Sequence, residues 1–422
     1  MGPMTHAYND MNLGSWRDAA TYDVVLFGAT SYVGRIVAEY LARTYPPDSG
    51  VRIALAGRNL EALTNLKESL GVDFPIVLAD VTDAASVESM VADTTVLIST
   101  VGPYGRYGDV VVEACARRGT DYVDLCGEVF FIRHTIDAYH DLARQTGARI
   151  VHSCGFDSVP SDIGMLNLSL KAGEEFSRVF MIVDRLRGGF SGGTVDSMRE
   201  VLVAARRDPE LARQLFDPYS LCPSPQSEAT IAGLENDLVF EEVQVGPVHT
   251  WVGPFFMSSF NTRIVRRSNS LLDHAYGKAV AYKEAIATGQ GRLGKTKARA
   301  LLAATRIGFA AIQQPRLKKP LSLILPEPGE GPSEKERAEG YFQITHVGET
   351  LSGKVVTGRV QAEGDPGYEV TAMMLAEAAL ARVESRRALN AHKAVAGGVL
   401  TPATALGTAY MQRLRAHGML IG

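Results

Sequence analysis

The stretch DVVLFGATSYVGRIVAEYL (23–41) decides the architecture. A short apolar run ends in Gly28, a loop of small and polar residues follows, and Gly34 opens a segment with helical spacing of its apolar residues. The rhythm then repeats. VRIALAG (51–57), FPIVLAD (74–80), TVLISTVG (95–102), DYVDLCG (121–127) and ARIVHSCG (148–155) are apolar runs. Helical stretches at 33–45, 59–70, 83–91, 108–118 and 130–146 alternate with them. Uniformly apolar strands joined by crossover helices are buried on both faces, the pattern of parallel βαβ units. These six runs predict one doubly wound α/β unit.

A Rossmann turn needs a glycine for the sharp bend, a small residue where backbone meets pyrophosphate, and a glycine for close helix packing. Gly28 and Gly34 fill the outer roles, and Ser31 stands where the middle glycine is expected. The backbone amides of Thr30, Ser31, Tyr32, Val33 and Gly34, at a helix N-terminus, are the expected anion cradle. The second strand ends Ala56-Gly57-Arg58, and no acid occurs from Val51 to Leu60. An NAD site places an acid there for the ribose; an arginine pairs instead with a 2′-phosphate, so NADP(H) is the expected cofactor. Asp80 ends the third strand, near the adenine or at the start of a turn. Gly102 and Pro103, in STVGPYG (99–105), are placed under the cofactor with Tyr104 near the nicotinamide.

Two further strand ends carry polar residues, YVDLCGE (122–128) and HSCGFDSVP (152–160). At the carboxyl edge of an open sheet these are acid–base candidates. Glu128 and Asp124 are the best of these candidates, or else merely exposed loop acids. Asp157 or Ser158 also suits a helix N-cap ahead of Pro160. Cys154 reads as a buried thiol.

After Val159 the period changes. Strand candidates at 177–186, 238–245, 341–348 and 354–363, separated by long segments, predict an α+β unit on an antiparallel sheet. The expected organisation is a loose leader at 1–20, a dinucleotide-binding unit at 21–158 with returning C-terminal helices from about 365–422, and a substrate unit at 159–364. The net charge of −4 gives no basic surface for nucleic acid, and four cysteines without CxxC spacing suggest neither a disulfide framework nor a metal site. The start lacks the apolar core of a signal peptide, and no run of 18 apolar residues suggests a membrane span. Residues 285–326 contain no acid but carry Arg292, Lys295, Lys297, Arg299, Arg306, Arg316, Lys318 and Lys319. Such a basic amphipathic segment (292–319) suits a solvated face, an acidic carrier protein or an anionic membrane surface. Trp251, Phe255, Phe256 and Phe260 are either core or the lining of an acyl tunnel.

GATSYVG (28–34), AGR (56–58), VGPYGRYG (101–108), DYVDLCGE (121–128) and CGFDSVPSD (154–162), in this order, resemble the saccharopine dehydrogenase-like oxidoreductase family. SGGTVDSM (191–198), NTRIVRRS (261–268), GYF (340–342) and GDPGYEVTAMMLAEAAL (364–380) extend the resemblance over 22 to about 405. Within that family the chain looks most like the trans-acting enoyl reductases. The resemblance implies an NADP(H)-dependent reductase of an α,β-unsaturated acyl thioester, carried by an acyl carrier protein or polyketide synthase during lipid synthesis, in the cytoplasm that reduced cysteines also suit. For that reaction Tyr104, Ser158 and the backbone amides around Gly155 are the expected oxyanion donors, and Asp157, Glu128 or a bound water the proton relay. A homodimer and a peripheral station at the inner face of the plasma membrane are compatible with it. The alternatives are an imine or carbonyl reductase and a cofactor-binding lipid-surface protein without turnover. Ser31 departs from the usual glycine.

Overall fold

Val24 and Leu26 pack into one apolar core and Val25 and Phe27 into another, so the strand they share is covered on both faces. The computed structural model describes residues 20–188, 192–225, 227–228, 238–312, 332–389 and 397–422. That strand is β1 (Tyr22–Phe27), followed by β2 (Ile53–Gly57), β3 (Ile76–Leu78), β4 (Thr94–Ser99), β5 (Asp121–Asp124) and β6 (Arg149–Val151). Between them run α1 (Tyr32–Thr44), α2 (Leu60–Leu70), α3 (Ala84–Ala92), α4 (Tyr104–Tyr107), α5 (Asp109–Arg118) and α6 (Val129–Thr146).

From α7 (Val159–Ala172) onward the elements are β7 (Phe176–Arg187), α8 (Gly192–Arg207), α9 (Pro209–Phe216), β8 (Glu241–Val245), β9 (Val248–Pro254), α10 (Ser258–Leu271) and β10 (Ala281–Gly289). Then come α11 (Gly291–Ile312), α12 (Glu334–Ala338), β11 (Tyr341–Thr350), β12 (Val355–Glu363), α13 (Glu369–Leu389), β13 (Gly398–Leu400), α14 (Pro402–Ala416) and β14 (Leu420–Ile421).

The first sheet has seven strands, not six, in the order β13-β6-β5-β4-β1-β2-β3, all parallel. The seventh strand, β13, returns from the far end of the chain; three residues are too short to show a period. The second sheet runs β14-β12-β11-β7-β10-β9-β8. It is mixed rather than antiparallel, because β7 and β10 pair in parallel. A parallel pair needs a long crossover, and the chain between β7 and β10 supplies one through α8, α9, β8, β9 and α10. Leu420 and Gln361 pair, so the last strand lies on the second sheet.

Alanines at 372, 376, 378 and 379 are fully buried on α13, which lies along α1 and against β4 and β5. Arg382 and Arg386 of this helix meet Asp121 at the start of β5, and the Arg149 amide donates to the same carboxylate at 2.8 Å. Burial alone would raise that carboxyl, but the two guanidiniums outweigh it and hold it well below the ordinary range.

Cys115, Cys126, Cys154 and Cys222 are free and buried. Among the described residues no helix is long and apolar enough to cross a membrane. Residues 1–19 of the expected leader, Ser191 of the SGGTVDSM segment, and Arg316, Lys318 and Lys319 of the basic segment lie outside the described residues.

Candidate functional site

Gly28 closes β1 with φ +87°, a conformation that disfavours any side chain, and its amide donates to the Ala56 carbonyl at 3.0 Å. A Cβ on Gly34 would stand 2.2 Å from the Gly28 carbonyl oxygen, so the second glycine lets α1 press against the turn. Ser31 needs no glycine-like backbone, with φ −66°. It is the N-cap of α1, and its Oγ accepts from the Gly34 amide at 2.9 Å and donates to Thr100 Oγ1 at 3.2 Å. Serine therefore fills the small position and also ties the loop to the end of β4. Among the described residues the amides of Thr30, Tyr32 and Val33 have no hydrogen-bonded partner; that of Gly34 is taken. Three unspent donors at a helix N-terminus fit a pyrophosphate.

Arg58 is exposed beyond β2. The Asp80 carboxylate accepts from the Thr82 amide at 2.9 Å and the Thr82 hydroxyl at 2.8 Å, so Asp80 begins a turn into α3. Those bonds, with the nearby charge of Arg58, lower its carboxyl below the usual value. A Cβ on Gly127 would meet nothing within 4 Å and φ there is not positive, so that glycine borders open space beyond the strand ends. On Gly102 a Cβ would meet only Tyr104, at 3.9 Å. The cradle, the open glycines and a free arginine where a 2′-phosphate falls fit a dinucleotide.

The four expected reaction residues separate in their surroundings. Tyr104 is buried, its hydroxyl donates to the Ser99 carbonyl at 3.1 Å and accepts from the Leu125 amide at 3.2 Å. Its one proton is thus directed to a backbone carbonyl rather than into open space. Glu128 accepts from the amides of Tyr104 at 2.9 Å and Gly105 at 2.8 Å, clamping the loop that carries Gly102 and Pro103. Ser158 stands at the N-cap of α7 without capping it. Its buried Oγ donates to Asn261 Oδ1 at 3.3 Å, and Asn261 donates onward to Glu284 at 3.0 Å. Its side chain therefore does not make the expected cap bond and is turned toward Asn261.

Asp157 differs from all three. It is half-buried on the loop after β6, and among the described residues no hydrogen bond reaches its carboxyl. Burial pushes it up to about 6. The loop is held around it: the Phe156 ring packs on Phe342 of the second sheet, and the Phe156 amide donates to Thr371 Oγ1 at 2.9 Å.

Beneath these loops lies a group that sequence reasoning only brushed. Asp124, fully buried, accepts four bonds: from the amides of Cys126 at 3.0 Å and Ser153 at 3.1 Å, from the Tyr122 hydroxyl at 2.9 Å, and from His152 Nδ1 at 2.7 Å. It organises the loops after β5 and β6, with every oxygen occupied. Ser153 sits at φ +63°, a rare conformation outside glycine, held by its hydroxyl donating to the Cys126 carbonyl at 2.7 Å. The aromatic residues do not converge on a tunnel: Phe255 and Phe260 belong to different cores, and Trp251 lies under Lys295.

Comparison with known proteins agrees with this geometry. Residues 24–151 match the saccharopine dehydrogenase NADP binding domain, and the chain binds NADP(H) as an oxidoreductase. A Mycobacterium tuberculosis protein provisionally named a trans-acting enoyl reductase is 42% identical over 415 residues, covering 94% of this chain and 96% of that one. The trans-acting enoyl reductase of Mycobacterium bovis BCG is 38% identical over 419 residues, covering 95% and 97%. That of Mycobacterium ulcerans is 37% identical over 413 residues, covering 95% and 97%. Among solved structures, apo saccharopine dehydrogenase from Saccharomyces cerevisiae superimposes with a TM-score of 0.48 at 15% identity, covering 95% of this chain and 99% of that one. The chain belongs to the saccharopine dehydrogenase-like family, with proteins named trans-acting enoyl reductases among its full-length relatives.

Proposed function

We propose that the protein is an NADPH-dependent enoyl reductase acting on an α,β-unsaturated acyl thioester presented by another protein. The names of its full-length relatives support the substrate class. The observation that supports the reaction type is Asp157, a half-buried carboxyl on the loop after β6 that no hydrogen bond reaches among the described residues and that burial pushes up to about 6. Bound NADPH supplies the hydride that saturates the β-carbon. Charge then gathers on the thioester oxygen and the α-carbon needs a proton. Asp157 holds that proton. The Gly127 amide, with no hydrogen-bonded partner among the described residues and open space above it, faces the oxygen.

Thr30, Tyr32 and Val33 hold the pyrophosphate through their amides, Gly28, Ser31 and Gly34 shape the turn, and Arg58 takes the 2′-phosphate. Glu128 and Asp124 are positioning residues for the loops on either side. In this reading the cofactor unit is 21–158 with α13 and α14, and 159–364 holds the acyl chain. The direct test follows NADPH oxidation with crotonyl-N-acetylcysteamine as substrate. Turnover, with one NADPH consumed per saturated product, is expected; reduction of ketones or imines in place of the enoyl thioester overturns the reading.

A further inference from the structure

The helix α11 is long and strongly cationic, and among the described residues it is seated on β9 and β10 along one side. Gly294 and Ala298 are buried. A Cβ on Gly253 of β9 would stand 2.8 Å from Leu301, and one on Gly294 would stand 2.1 Å from the Gly289 carbonyl oxygen. Glycine at both places lets the helix lie close on β9 and on the end of β10. The outward face is ordered by type. At about 3.6 residues per turn, Arg292, Lys295, Arg299 and Arg306 share one edge. Leu293, Ala300, Ala304 and Ile307 form the adjoining strip, and Lys297 stands on its far side. All nine are exposed, Leu293 by 67% and Ile307 by 69%. Residues 285–326 contain no acid to neutralise the face.

The strip has two large apolar side chains, 14 positions apart along the helix and so about 21 Å distant, with an alanine floor between them. A helix that sinks into a bilayer carries bulky apolar side chains along its whole face. An alanine floor between two anchors, with cations on both rims, instead accepts one helix lying alongside, with acids at its edges and small apolar residues at its centre. We propose that the outward face of α11 is the docking surface for an acidic helix of the carrier that presents the acyl thioester. This deepens the enoyl reductase reading and rests on it for the identity of the cargo. β10, which leads into α11, carries Glu284, and a hydrogen-bonded chain runs from Ser158, next to Asp157, through Asn261 of α10 to that residue.

The test compares two substrates that share a crotonyl thioester: crotonyl-N-acetylcysteamine and a crotonyl-loaded acyl carrier protein. In the variant Arg292→Glu, Arg299→Glu and Arg306→Glu together, KM for the carrier-bound substrate is expected to rise about tenfold or more at low salt, with kcat and the KM for the small thioester unchanged. Ile307→Asp, which leaves the cations in place, is expected to move KM in the same direction. An unchanged carrier KM in both variants overturns the docking surface. So does sedimentation of the wild-type protein with phosphatidylglycerol vesicles that the charge reversal abolishes, because the face then belongs to a membrane. If the wild-type protein reduces no crotonyl thioester at all, the reductase reading fails, and calorimetry of carrier protein against wild type and variant still decides the docking face.

Discussion

β5 carries an aspartate at each end, and the two have opposite surroundings. Asp121 and Asp124 are both fully buried, three residues apart on one strand. Asp121 meets the guanidiniums of Arg382 and Arg386 from α13, and it is a fixed charge that ties the C-terminal helix to the sheet. Asp124 meets amides, a tyrosine hydroxyl and an imidazole, and it arranges the loops from which Asp157 emerges. In a parallel sheet the two ends of a strand do different work. The amino end can be sealed with strong ion pairs, whereas the carboxyl end must leave groups unsealed for a ligand. Asp157 shows the consequence at that end: among the described residues no hydrogen bond reaches its carboxyl, and burial pushes it up to about 6.

The largest expected effect breaks the sealed end. Asp121→Asn leaves two arginines buried without their counter-charge and is expected to cost about 3–5 kcal/mol in denaturant unfolding, with NADPH affinity of the folded fraction unchanged. Because the folded carboxyl lies below its unfolded value, its contribution is present above about pH 4 and fades as pH falls through that value toward the folded pKa. Equal loss of cofactor affinity would erase the contrast between the ends.

Next comes the open end. Asp157→Asn is expected to lower kcat roughly a hundredfold or more with the melting temperature nearly unchanged. In the wild-type protein a general acid must be protonated, so kcat falls as pH rises through about 6, and the variant loses that limb. A wild-type profile flat from pH 5 to 8 would remove Asp157 from the reaction.

Arg58→Ala sharpens the cofactor side, with NADPH binding weakened roughly tenfold or more by calorimetry and NADH binding unaltered. Smallest is Ser31→Ala, about 1 kcal/mol of stability for the lost cap, whereas Ser31→Gly costs only a few tenths.

The first sheet was legible because its buried strands are continuous apolar runs, each ended by a glycine or a polar residue and followed by a helical period. Gly28, Gly34 and Arg58 were legible for the same reason: their roles depend on local backbone and on a strand end. Ser31 carried a readable signal, a serine just before a helix, but next to two glycines it reads as a missing third. What stayed hidden is long-range. The bonds from Ser158 to Asn261 and from Arg382 to Asp121 span 103 and 261 positions, and no period or spacing foretells them. β13 and β10 were missed because three residues carry no alternation and because a strand with Lys283 and Glu284 at its centre does not look apolar. Burial is equally hidden from the sequence: the hydroxyls of Tyr104 and Ser158 both bond to buried neighbours, Ser99 and Asn261.

The bonds between Asp121 and α13 also set an order of events during synthesis. At about 5–20 residues per second a ribosome needs roughly 10–50 s to pass from Asp121 to Arg382, 261 positions later. Through that interval the nascent sheet has an uncompensated carboxylate and a bare apolar flank where α13 will lie. The cofactor-binding half, although made first, is finished last. A fragment cut after α6 inherits that unfinished state permanently.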